Sequence, residues 1–492
     1  MEATTEAARA RTGRTAWLRA AGAILAVAAV GCSTSLKPPD LGALYNRSAQ
    51  YHGPERNPIV VIPGILGSRL KDLETRSTVW GAFGGDFADP GTTEGARTMA
   101  LPMREGVDLR ALRDGVVPDG VLDRIKVRLL GLPLELKAYF QILRTLGAGG
   151  YHDESLGVLG EVDYGSDHYT CFQFAYDWRR DNVENAARLH EFLLEKRAYV
   201  RAETMRRSGV DRDVKFDVVA HSMGGLLLRY YLMYGKEDLP ADGTLPEPTW
   251  AGKDLVDRAI LVGTPSSGAV DALAQLVRGR SFGFFMPSYS PAVVGTFPAL
   301  YELLPRGRHG ALVESAAPGA KSVDPLDPAV WEREKWGLAA PDQDEVLRWL
   351  LPDETRPEAR RRIALDHQRK SLERARRFHA ALDRPAPAPA GLGLYLVAGD
   401  AEPTNAVAAV RGPSGSFEVL RKGPGDGTVL RSSALADERE GGEWTPWLRT
   451  PVPWTHVTFL FTDHIGLTRD PAFADNVLHL LLEAPPAGLI DP

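Results

Sequence analysis

Cysteine is almost absent: a chain of 492 residues carries two, Cys32 and Cys171. At most one disulfide is open to it, and none if Cys32 is modified. Neither cysteine sits in a spacing that suits zinc, so no metal is expected. Charge of one sign is lacking too. Lys and Arg number 58 against 64 Asp and Glu, a net charge of −6, so no basic surplus marks a nucleic-acid partner. Long apolar runs are scarce: the clearest, "AAGAILAVAAVGC", is too short to span a bilayer comfortably. What is present, 44% hydrophobic residues over this length, suffices for a large core without staples.

The apolar run follows Arg9, Arg11, Arg14 and Arg19 and ends at Cys32, an arrangement that suits a secretory signal. Its "AVGC" ending resembles a bacterial lipoprotein signal, in which Cys32 would receive lipid. The expectation is a signal over 1–32, a polar tether over 33–54, and a place on an envelope membrane facing the periplasm, the outer membrane where the host has one. Cys171, inside the apolar "YTCFQFAYDW", reads as a buried, inert thiol.

Alternation of strand and helix then begins. "NPIVVIPGILG" gives four apolar residues, Ile59 to Ile62, and a Pro-Gly turn; "CFQFAYDWRRD" reads as a second strand. "ENAARLHEFLLEKRAYVRAETMRRSG" has the three-and-four spacing of an amphipathic helix. The strand "VKFDVVAH", the helix "GGLLLRYYLMYG" and the strand "VDRAILVG" follow. After residue 390, "LGLYLVAGD", "WTHVTFLF" and "FADNVLHLLLEA" resume the pattern. This predicts a mostly parallel sheet with helices on both faces, built from 55–70, 161–268 and 391–485. Two insertions interrupt it. Residues 71–160 read as irregular, with one helix around Leu136–Leu146; residues 269–390 include the Arg-rich helix "ARRRIALDHQRKSLERARRFHAAL", read as a solvated face, with contact to anionic lipid as the alternative.

Between "KFDVVAH" and the apolar helix stands "AHSMG", small-x-Ser-x-Gly. A nucleophile elbow places its serine on a strained strand-to-helix turn, where flanking residues must be small. Ala220 and Gly224 meet that need, and Ser222 becomes the candidate nucleophile. A serine needs a base, and the base an orienting acid, in the chain order Ser, Asp or Glu, His. His479 lies within a helix and His456 within strand-like alternation, whereas His464 stands in the loop "FTDHIGLTRDP". Geometry favours His464. His221 adjoins the nucleophile but diverges from it at so sharp a turn. For the acid, Asp400 at the end of "LYLVAGD" and Asp426 in "GPGDGTV" carry nearly equal weight.

"VVIPGILGSRL", "FAYDWRRD", "VVAHSMGG", "LVGTPSSG", "GDGTV" and "DHIGL" occur in the order found in the lecithin–cholesterol acyltransferase family, and the chain resembles its lysosomal phospholipase/transacylase branch. The resemblance implies an α/β-hydrolase fold, Asp426 as the acid, His464 as the base, and oxyanion donors at the N–H groups of Met223 and Ile65. It also implies a membrane-facing cap over 71–160 and a lid over 269–390. Two apolar stretches, "VRLLGLPLELKAYF" and "RSFGFFMPSYSPAVVGTFPALYELLP", suit such surfaces or else complete the core. Trp178 is a candidate acyl-groove residue, while Asp177 and Arg179 read as a structural ion pair. "GTPSSG" departs from the family's Ala-Pro-Trp-Gly-Gly at Ser266 and Ser267. The expected activity is a serine-dependent lipase, phospholipase or O-acyltransferase with a phospholipid or other acyl-lipid substrate, without cofactor or obligate protein partner. A soluble esterase, thioesterase or peptidase and a non-catalytic lipid-binding lipoprotein are the alternatives.

Overall fold

The computed structural model describes residues 38–485 other than 84–87, 123, 130–131, 138–139, 166, 241, 282–287 and 413–415. Cys32 and the signal segment lie outside the described residues. Six strands build the central sheet: β1 Ile59–Ile62, β2 Cys171–Gln173, β3 Phe216–His221, β4 Val256–Val262, β5 Gly393–Gly399 and β6 His456–Leu460. All pair in parallel, in the order β6-β5-β4-β3-β1-β2. The register aligns the carboxyl ends: Ile62 is opposite Ala220, and His221 is opposite Val262.

Every residue of β1, β3 and β4 is buried, and apolar residues dominate all three, with Asp217, Asp257 and Arg258 at the amino ends of β3 and β4. Alternate residues still go to opposite faces. Val60, Ile62, Val218, Ala220 and Leu261 join one core; Ile59, Val61, Val219, Ile260 and Val262 join the other. The helices α1 Asn182–Ser208 and α2 Met223–Tyr234 cover the first face with Leu189, Leu193, Leu227 and Tyr231. On the second face, Phe473, Val477 and Leu481 of the last helix, Pro471–Leu482, pack with Ile142 and Leu146. The expected α/β-hydrolase architecture is present. Asp181 starts α1 by accepting from the N–H groups of Val183 and Glu184, and Gly209 at φ +71° ends it.

Several stretches differ from what the sequence predicts. Residues 71–160 hold short strands: Ser68–Asp72 pairs antiparallel with both Thr78–Trp80 and Val116–Val121. Register shifts interrupt both pairings, which erases the period-two signal. The helix expected around Leu136–Leu146 spans Phe140–Ala148, because Leu132–Lys137 pairs as a strand with Arg124–Leu129. The strand expected from "CFQFAYDWRRD" stops at Gln173. Beyond it, Tyr176 Oη donates to Pro63 O at 2.9 Å and Trp178 Nε1 to Ser68 O at 3.1 Å, which fixes a loop instead. The stretch read as a tether is already packed at Tyr45, 3% exposed, whose hydroxyl donates to Asp475 Oδ1 at 2.7 Å.

The Arg-rich segment is one helix, Pro357–Leu382, and it works as a strap more than as a solvated face. Arg374 pairs with Asp181 and Asp238, Arg376 with Asp324, Arg362 with Glu105, and Lys370 donates to the carbonyl of Val107 at 2.6 Å. Its other side is buried through His367, Leu372, Ala375 and Phe378. Of the apolar 280–305 stretch, the described residues Ala292, Val293, Phe297, Leu300, Tyr301 and Leu304 complete the core.

The expected ion pair at the end of β2 is larger than two residues. Fully buried Arg179 reaches Asp177 and Asp114, each at 2.8 Å, and donates to Met99 O at 2.9 Å. Burial alone would raise the pKa of Asp177, but the guanidinium holds it below its ordinary value. Arg179→Met removes the guanidinium that both carboxylates share. It is expected to cost about 3–5 kcal/mol of stability, read from the urea midpoint.

Candidate active site

Ser222 joins β3 to α2 at φ +55°, ψ −126°, a conformation that costs a non-glycine residue free energy. Its N–H donates to Val262 O at 2.8 Å, tying the bend to the neighbouring strand. Closeness explains the small neighbours. A Cβ at Gly224 would lie 2.4 Å from Pro63 O, and one at Gly64 would lie 2.7 Å from Ser222 Cβ and 3.3 Å from its Oγ. The turn after β1 is therefore pressed against the hydroxyl. Gly64→Ala must push that turn away, and a displacement near 1 Å costs about 100-fold in rate. A fall in kcat on a chromogenic ester with little change in melting temperature is the expected outcome.

The three side chains far apart in the chain meet here. The Ser222 hydroxyl lies 3.0 Å from His464 Nε2, and His464 Nδ1 lies 2.7 Å from Asp426 Oδ2. The other carboxylate oxygen, Oδ1, accepts from the N–H groups of Val429 at 2.6 Å and Thr428 at 3.0 Å. With Oδ1 occupied by donors, Oδ2 is left to accept from Nδ1–H. That tautomer leaves Nε2 as an acceptor for the serine proton. Burial pushes the Asp426 pKa upward, but His464 and the two main-chain donors outweigh it, so it lies below the ordinary value and the group stays ionised. The loops are also joined directly, since His464 N–H donates to Asp426 O at 2.8 Å.

Asp426 follows a hairpin, Glu402–Arg411 with Glu418–Gly425, that the sequence reading did not resolve. Asp400 does not join the site: its Oδ2 lies 3.8 Å from Arg431 Nε. His456 and His479 are exposed, the latter 3.4 Å from Glu483. Ile65 stands in the turn pressed on Ser222, and Met223 is the first residue of α2, where main-chain N–H groups lack helical acceptors. Trp178 is buried, edge-on to Trp80 and Phe297, and shares an apolar crevice with Ile65. Cys171 is buried, and burial raises its thiol pKa well above the usual value. Ser266 and Ser267 are buried.

One residue gains a place the sequence gave no means of assigning. His221 is buried; burial, then the charge of His464, lowers its pKa to about 3, so it is neutral. Its Nε2–H donates to His464 O at 3.1 Å, which ties the end of β3 to the loop that carries His464. Adjacency to Ser222 was its one sequence signal.

Among the described residues no cluster of His, Cys, Asp or Glu could hold a metal, and no helix is long and apolar enough to cross a membrane. The family model for lecithin:cholesterol acyltransferase matches residues 142–332. That range contains Ser222, while Asp426 and His464 lie beyond it. A plant relative, lecithin-cholesterol acyltransferase-like 4 of Arabidopsis thaliana, is 25% identical over 291 residues. This match covers 53% of the chain and 45% of the relative, so the chain spans under half the length of that protein. The fold is similar to that of a chain in the solved Tle4–Tli4 complex, at 14% identity and a TM-score of 0.50, over 87% of this chain and 99% of that one. The chain is thus similar to the lecithin:cholesterol acyltransferase family over the segment that carries Ser222.

Proposed function

We propose that the protein is a lipid ester hydrolase or O-acyltransferase working through an acyl-Ser222 intermediate. The observation that carries this is the unbroken relay Ser222–His464–Asp426, with links of 3.0 and 2.7 Å. His464 Nε2 takes the hydroxyl proton as Oγ attacks the ester carbonyl, and Asp426 stabilises the resulting imidazolium. The carbonyl oxygen becomes an oxyanion, met by the N–H groups of Met223 and Ile65. Collapse breaks the bond to the alcohol, which leaves with the proton from His464. Water or a lipid alcohol then gives its proton to Nε2, attacks the acyl-serine and restores the hydroxyl.

A lipid substrate is supported by the family and by the surface beside the base. Phe461, 82% exposed, and Ile465, 39% exposed, flank His464 in the chain, and Trp178 offers an apolar wall next to Ile65. Lipidation at Cys32 and an envelope location belong to the same proposal, supported by the basic and apolar pattern of residues 9–32. In vesicles of phosphatidylcholine containing a long-chain alcohol, free fatty acid is expected, with acyl ester of the alcohol if transfer competes with water. Absence of both products from folded protein overturns the lipid reading.

A further inference from the structure

The base stands on a segment that packing does not hold. No residue from Phe461 to Gly466 is buried, and Asp463 folds the segment on itself by accepting from the N–H groups of Ile465 and Gly466 at 3.1 and 2.8 Å. Polar ties to other parts of the chain therefore set where the imidazole sits. Asp426 supplies two, through Oδ2 to Nδ1 and through its carbonyl to the His464 N–H. The end of β3 supplies two more. Ser222 meets Nε2 through its hydroxyl, and His221 meets the main-chain carbonyl of His464 through its Nε2–H at 3.1 Å. Acid and elbow each hold the base once by its ring and once by its backbone.

The two ties from the elbow fare differently during turnover. Acylation makes Oγ an ester oxygen without a proton, so the bond that the hydroxyl donates to Nε2 is lost until the acyl group leaves. The base must meanwhile stay in place to take a proton from the incoming water or alcohol. The tie from His221 uses no atom that gains or loses a proton in the reaction. A carbonyl oxygen can only accept, so Nε2 of His221 carries its proton throughout. The donor is also fixed: His221 ends a fully buried strand, opposite Val262 of β4. Main chain at Gly263 backs the imidazole, since a Cβ there would lie 3.1 Å from both Nδ1 and Cε1 of His464.

We propose that His221 is a positioning residue for the reaction. Its hold on the main-chain carbonyl of His464 keeps Nε2 at working distance from Oγ and, once Ser222 is acylated, from the attacking water or alcohol. This rests on His464 as the base.

The test uses the full chain, a chromogenic ester and the rate of fluorophosphonate labelling. His221→Phe keeps a ring and removes the donor. It is expected to lower kcat about 10- to 100-fold, the cost of a base displaced by about 1 Å, with no rise in KM. His221→Gln brings an amide N–H near the place of Nε2 and is expected to recover most of the lost rate. His221→Asn, whose amide falls short, is expected to stay low; the contrast between the two amides carries the test if the phenylalanine variant fails to fold. In a His464→Ala background His221→Phe is expected to cost nothing further, because it acts through the base. Wild-type kcat in His221→Phe, a loss carried by KM, failure of glutamine to rescue, or a further loss without His464 overturns the inference. Labelling of Ser222 that His464→Ala slows and His221→Phe does not overturns this inference alone. Labelling that His464→Ala leaves at the wild-type rate brings down the base reading beneath it.

Discussion

Ser222→Ala is expected to lower kcat on any ester substrate roughly 10⁴- to 10⁶-fold while the melting temperature hardly moves. The size follows from covalent catalysis: without Oγ no acyl-enzyme forms, and only binding and the oxyanion donors remain. The small stability effect has its own cause. Ser222 holds its bend through its main-chain N–H to Val262 O, which alanine keeps. The hydroxyl's bond is to His464, so its loss removes chemistry and not a support of the fold. His464→Ala is expected to behave alike, because the two residues act as one unit and their losses do not add. Steady-state rates and a thermal melt on the same preparation check both statements.

Asp426→Asn should cost nearly as much, about 10⁴-fold in kcat, by inverting a tautomer. The amides of Thr428 and Val429 need an acceptor at the Oδ1 position. An asparagine there turns its carbonyl to them and its NH₂ toward His464 Nδ1. The imidazole must then accept at Nδ1 and carry its proton on Nε2, where it cannot take one from Ser222. Geometry survives while the base is lost. Asp400→Asn is the control, since that carboxylate faces Arg431 and has no link to His464; its kcat is expected to stay near wild type. Comparable losses in the two variants would contradict the assignment of the acid.

The two carboxylates also mark where sequence reading runs out. Ser222 was legible because elbow, strand and helix lie within one continuous stretch, with each side's packing written locally as β3 and α2. His464 was legible by elimination, since its rivals sit in a strand and a helix. Asp400 ends a strand-like run and Asp426 lies in a Gly-rich turn, so pattern left them level; the resemblance favoured Asp426, and the hairpin Glu402–Arg411 with Glu418–Gly425 brings it to the imidazole. Its pairing spans residues no periodicity links. The strands of 68–121 were illegible for a related reason, as their register shifts break the alternation that marks a half-buried strand. The Arg-rich helix misled differently. Its charge pattern suits a solvated face, but Asp181, Asp238, Asp324 and Glu105 come from far along the chain to meet it.

The central claim is that the hydroxyl of Ser222 is a nucleophile armed by His464. Incubation of the folded protein with a fluorophosphonate, followed by intact mass and peptide mapping, tests it most directly. One phosphonyl group per chain on Ser222 is expected, absent in Ser222→Ala and strongly slowed in His464→Ala. A folded wild-type protein that stays unlabelled, or that carries the label at another residue, contradicts the account.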